Sequence, residues 1–264
     1  MLYAVMLFWR MGGASVRTQM QHRVSFFLDS GANFLASITD FVGLWAIVNR
    51  FHMIGGWTLP EMAILYGIIH KGFGLAEGVA RGFDTFGRQV LSGDFDRTLL
   101  RPIGTVLQMS VRQIHVLKIG RFLQGLLVFS WGFHTLGYHV FSFRILFIVA
   151  GVLGALCLFY GLFVMKATLA FWTTETLKIT DITTYGGREV GQLPMHIFPI
   201  AFRLIFTVII PIATVAYIPA AAMLGKEGIP LWLGGLSPLC GVAFLYIALK
   251  LWHIGVRRYC AVGC

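Results

Sequence analysis

The chain has 264 residues, of which 57% are apolar and only 12% charged, and its mean hydropathy is +0.78. Ordinary soluble domains carry roughly 25% charged residues, so a soluble globule is excluded and an all-α polytopic membrane protein is expected. The net charge of +10 fits basic cytoplasmic loops facing anionic membrane lipid, and is not read as nucleic-acid binding.

A membrane crossing needs about 20 mostly apolar residues. Residues 26–48, 59–80, 120–136, 145–165, 200–224 and 231–252 approach that measure, which predicts six transmembrane helices. The first two are the least apolar, since they carry Asp29, Asp40, His70, Lys71 and Glu77. With the N-terminus inside, only Arg50, Arg144 and Lys226 fall outside, and Lys71 and Arg203 lie within spans. The other 16 of the 21 basic residues, Arg188 among them, are then cytoplasmic. That asymmetry predicts both termini in the cytoplasm. No cleavable signal is expected, because basic residues follow the apolar residues 1–9 instead of preceding them.

The outer connections are short and the inner ones, residues 81–119 and 166–199, are long. The first inner connection reads as an amphipathic helix, with Phe83, Phe86, Val90 and Leu91 among Asp84, Arg88 and Gln89. Ser92, Gly93 and Asp94 form a turn signal, and Arg101–Pro102 stops whatever helix follows it.

Charges within spans are costly and invite functional readings. Asp40, Lys71 and Glu77 are the substrate-pathway candidates, against the simpler reading that they form structural ion pairs. Asp29 and Glu61 lie near span ends, where headgroups and water can satisfy them. Gly74, Gly78 and Gly82 share one helix face, suited either to a subunit interface or to packing within the chain. His134 and His139 lack further ligands, as do Cys260 and Cys264, so no metal site is expected. The chain contains no H-E-x-x-H, no G-x-S-x-G and no G-x-x-x-x-G-K-[ST]. No catalytic residue or bound cofactor is therefore expected, and any ATP and Mg must sit on a partner subunit.

Three segments together carry a resemblance. The first is Gly93-Asp-Phe-Asp-Arg-Thr-Leu-Leu-Arg-Pro102. The second runs from Phe198-Pro199 through Ile210-Pro211, Tyr217 and Pro219-Ala220 to Leu224-Gly225-Lys226. The third is Trp252-His-Ile-Gly-Val-Arg-Arg-Tyr259. In order and spacing they resemble permease subunits of type-2 ATP-binding-cassette (ABC) exporters, in a compact six-span branch. The resemblance implies an N-terminal interfacial helix within residues 1–25 and short re-entrant helices in residues 217–235, before the last span. It also implies a bacterial inner-membrane location, a second permease (itself or a paralogue) and P-loop ATPase subunits. A coupling helix would dock on the ATPase through Phe83, Phe86, Arg88, Val90 and Leu91. The adjoining Gly93, Asp94, Asp96, Arg97, Leu99, Leu100, Arg101 and Pro102 would fix it to the third span. Two readings compete: an ion-coupled secondary transporter using Asp40, Lys71 and Glu77 as a relay, and a membrane enzyme using Glu77 or His70.

Overall fold

The computed structural model describes residues 13, 17, 23–113, 119–138, 143–173, 181–226 and 228–259. The expected N-terminal interfacial helix lies almost wholly outside these residues, as do His139, Cys260 and Cys264. Among the described residues the chain is helical, with no strand beyond a single bridge between Ile54 and Trp57. In chain order come α1 (Arg23–Phe51), α2 (Leu59–Asp84), α3 (Phe86–Leu91), α4 (Asp94–Leu99), α5 (Thr105–Arg112), α6 (Ile119–Thr135) and α7 (Ile145–Leu169). A π-helical turn, Ile182–Gly186, leads into α8 (Gly187–Gly191). After α9 (Ile200–Leu204) a second π turn, Ile205–Ile209, precedes α10 (Ile212–Val215) and α11 (Tyr217–Leu224). The chain closes with α12 (Leu231–Leu236) and α13 (Leu239–Arg258).

Three helical stretches among the described residues are long and apolar enough to cross a membrane: Phe34–Phe51, Ile145–Leu169 and Leu231–Arg258. The bent pair Ile200–Ile209 and Ile212–Leu224 would be a fourth by length and composition. The expected second and third spans fall outside this set for physical reasons. Helix α2 is the centre of the bundle and is covered by α6, α7 and α8, so its surface need not resemble lipid. It can therefore carry Lys71 and Glu77, both buried. The described part of α6 is 17 residues long, just short of a full crossing. Close approach comes from small residues: Gly72 lies against Ala155 of α7, and Gly241 of α13 against the Gly154 main chain.

Helix α2 has two identifiable ends. At its start Glu61 accepts a hydrogen bond from the Thr58 N–H (2.7 Å) and an ion pair from Lys226 Nζ (2.8 Å). At its finish Asp84 is held by Arg81 (2.5 Å) and Lys166 (2.8 Å), and Lys166 also reaches Asp181 (2.5 Å). Residues 181–196 run antiparallel along the whole of α2. Tyr185 receives a hydrogen bond from Arg81 (3.4 Å), the Arg188 guanidinium lies over Phe73 (5.4 Å), and Gln192 meets His70 (3.4 Å). His196 then hydrogen-bonds the Gly55 carbonyl in the α1–α2 turn (2.7 Å). The sequence places these residues in the second cytoplasmic loop, residues 166–199; the described part runs from one end of α2 to the other.

The expected fifth span, residues 200–224, is corrected by the same contacts. It enters beside Gly55 through His196 and leaves beside Gly56, whose carbonyl accepts from Lys226 Nζ (2.6 Å). Both ends of the stretch thus lie at the α1–α2 turn, and a 69° bend separates its halves. Pro211 causes the break, since it has no N–H to donate. Gly225, at φ 68°, closes α11, and the Lys226 N–H returns to the Ala221 carbonyl (2.9 Å).

Candidate functional site

Two regions gather the residues singled out by the sequence. At the α2 C-terminal end, Phe83, Phe86, Phe95, Phe171, Trp252 and Tyr259 form one aromatic cluster. Phe86 is 0% exposed and stands edge-on to Phe95 (4.9 Å), Phe171 (5.1 Å) and Trp252 (4.9 Å). Such offset ring pairs add attraction beyond their buried area. Gly93, at φ 72°, turns the chain from α3 into α4, and Ser92 Oγ donates to Asp94 (2.9 Å). Trp252 Nε1 donates to the Thr105 hydroxyl (3.0 Å), tying α5 to the last span. The Tyr259 phenol is pushed up to about 12 by burial, with Asp96 beside it adding to the shift.

This geometry corrects part of the docking assignment. Phe83 and Phe86 are covered by the chain's own Tyr160, Phe171 and Trp252, so they are not offered to a partner. Val90 is partly buried and Asp96 half-buried. The surface left open consists of Arg88, Leu91, Arg97, Leu99, Leu100, Arg101 and Pro102. Gly82 packs against the Met109 main chain, so this member of the glycine face serves packing within the chain.

The second region is a polar seam beside the middle of α2. Glu77, 1% exposed, pairs with Arg121 of α6 (2.6 Å). The Arg121 and Arg188 guanidinium groups each lie 5.4 Å from the Phe73 ring. Arg188 reaches Asp40 of α1 (3.4 Å) and its neighbour Glu189. Glu189 also accepts from Gln192 (2.7 Å), which meets His70, and His70 stacks on Tyr66 at 3.8 Å. Gln124 donates to the Tyr66 hydroxyl (2.8 Å) and to the Ser37 carbonyl. The Asp40 and Glu189 side chains remain 30% and 45% exposed, so the seam opens on the flank between α1 and α8.

Asp40 and Glu77 each pair with an arginine, and both guanidinium groups lie near the Phe73 ring, whereas Lys71 stands apart. Its ammonium lies 3.7 Å from the Phe129 ring, and no carboxylate among the described residues pairs with it. The three candidates do not form a continuous relay. No group of three or more potential metal ligands occurs among the described residues.

A family model described as ABC-2 family transporter protein matches residues 34–263. The chain belongs to the ABC-2 transporter family. No curated protein and no solved structure matches it. Membership makes the chain a membrane protein with the character of an ABC transporter permease, in agreement with the resemblance carried by its three segments. In this ABC-2 chain the first and third segments meet physically: Phe95 touches Trp252 (6.3 Å) and Tyr259 (5.0 Å). The second segment supplies Tyr217, whose hydroxyl meets His196 (3.1 Å), and the Gly225–Lys226 link to the start of α2.

Sequence reasoning missed Arg121, Arg188, Glu189, Gln192 and His196. A signal was available for the central pair. Gly187 and Gly191 flank Arg188-Glu189, and these glycines lie close to Ile212 and Ile69. Small residues at such spacing mark a tightly packed helix face, not a solvated loop.

Proposed function

We propose that this chain is the membrane-crossing permease subunit of an ATP-driven exporter. It works as a dimer, with itself or a paralogue, on separate P-loop ATPase subunits that bind ATP and Mg. The observation that carries the reading is the aromatic cluster. It joins α3 and α4 rigidly to the ends of α2, α7 and α13, through Phe83, Tyr160, Phe171 and Trp252. A displacement applied to the outer edge of α3 is passed to three long helices at once, as a chain without a phosphate-binding loop requires.

In this reading the ATPase contacts the exposed Arg88 and Leu91 of α3 and the turn at Ser92–Gly93, while Phe83 and Phe86 transmit from inside. The protein lies in a bacterial inner membrane with both termini and the α3–α5 face in the cytoplasm, because that places most of the arginines inside. Residues 181–197 make the fifth of six crossings, and residues 200–236 turn back on the outer side. Charged groups at membrane depth seek water or protein, not lipid. The half-exposed Asp40 and Glu189 therefore line the substrate pathway, on a flank closed by the second permease. Co-expression with the neighbouring ATPase tests the reading: a stable complex should form and hydrolyse ATP. Purified permease unable to retain any P-loop ATPase through mild extraction would contradict it.

A further inference from the structure

A groove of about 330 Å³ lies between α4 and α5, lined by Asp94, Arg97, Thr98, Arg101, Gln108, Met109 and Arg112. Three guanidinium groups face a single carboxylate there. Asp94 is engaged by the Ser92 hydroxyl (2.9 Å). None of Arg97, Arg101 and Arg112 is ion-paired among the described residues. The floor is firm: Gln108 and Met109 are buried, and Gln108 Nε2 donates to the Thr98 carbonyl (3.1 Å) and the Ile103 carbonyl (2.7 Å). A concave surface with two excess positive charges and forked donors suits a phosphate group.

The depth of the groove identifies the source of that phosphate. Helix α5 lies beside the ends of the long helices, not beyond them. The Met109 main chain abuts Gly82 in the last turn of α2, Thr105 accepts from Trp252 before the end of α13, and Ser110 meets Tyr160 within α7 (2.5 Å). Next to the arginines, Leu99 and Leu100 are 41% and 84% exposed. A water-facing loop has no use for two bare leucines, whereas a segment at the headgroup level can set them into the acyl boundary.

We propose that this groove binds the phosphate of an anionic membrane lipid, held by Arg97, Arg101 and Arg112, with Leu99 and Leu100 against its acyl chains. The site is separate from the α3 edge assigned to the ATPase. It fixes the α4–α5 block at the membrane surface. The inference rests on the membrane depth of the long helices and not on the ATPase contact.

The test uses the full chain alone, in nanodiscs of phosphatidylcholine with or without phosphatidylglycerol, and in mild detergent for native mass spectrometry. One phosphatidylglycerol should stay bound in preference to phosphatidylcholine and raise the thermal midpoint. R97Q/R101Q/R112Q should weaken that retention roughly tenfold or more, because each basic residue near an anionic surface contributes appreciably. The control R88Q/R257Q removes exposed charge elsewhere and should leave retention unchanged. Three results would overturn the proposal. The triple variant could retain the lipid as wild type does. The control could lose as much as the triple variant, which would mean diffuse attraction. Inorganic phosphate at millimolar concentration could reproduce the stabilisation, which would mean a soluble ligand. The three single variants keep the comparison valid if the triple variant fails to fold. Failure of the ATPase reading would leave all of these outcomes unchanged.

Discussion

Phe86 is fully buried, although Asp84 and Arg88 lie two residues to either side of it. Its place among charged residues marks an apolar face, and such a face needs cover; the sequence does not say whether that cover is a partner or the chain itself. The structure supplies Phe95, Phe171 and Trp252. Phe86→Ala should therefore cost about 3–5 kcal/mol, the usual range for a buried aromatic. It should be seen as a lower thermal midpoint of the purified permease. A variant as stable as wild type would show that the ring is not packed inside. Glu77 follows the same logic with charge. Glu77→Gln leaves Arg121 buried without its carboxylate, a change that costs about 3–5 kcal/mol. Glu77→Gln with Arg121→Met should be more stable than Glu77→Gln alone in thermal unfolding, since no unpaired charge remains. Additive losses would mean that the pair does not interact. That Glu77 needs a partner was legible in the sequence; that the partner is Arg121 was not, because the residues are 44 positions apart.

At the scale of elements, apolar runs identified α1, α7 and α13 well, because these helices keep one apolar side exposed. The same criterion misplaced the segment between α7 and α12. Residues 200–224 are apolar enough to cross, yet they begin and end at the α1–α2 turn. Residues 181–196 run the length of α2 with Arg188, Glu189 and Gln192, and their polarity is satisfied inside the bundle by Asp40 and His70. Hydropathy reports what faces lipid, and a segment enclosed by protein escapes it. Cysteine labelling in intact cells follows directly. Ile197→Cys, at a position 38% exposed, should react with an impermeant maleimide from outside, while Arg257→Cys, at an exposed position after the last span, should react only after permeabilisation. Labelling of both positions from the same side would contradict the crossing by residues 181–197.

At the scale of the whole molecule, the permease has two side-chain clusters set at different depths along α2. The seam of Asp40, Arg188 and Glu189 lies beside its middle, and the aromatic cluster encloses its C-terminal end. A single buried helix, α2, runs through both, so in the proposed reading movement at the α3 edge would reach the seam without a flexible joint between them. The membrane class, the helical fold and the transporter family were legible from composition and three short segments; the seam was not, because its members come from α1, α2, α6 and α8. The central claim is that ATP hydrolysed on another subunit acts through the exposed edge of α3. Its most direct measurement is ATP hydrolysis by the reconstituted ATPase, with wild-type permease and with Arg88→Glu/Leu91→Ala. Both substitutions lie on open surface, so the variant should fold with an unchanged thermal midpoint. The account predicts no hydrolysis by the permease alone, stimulation of the ATPase by wild-type permease, and a several-fold weaker stimulation by the variant. Hydrolysis by the rigorously purified permease, or full stimulation by the variant, would contradict it.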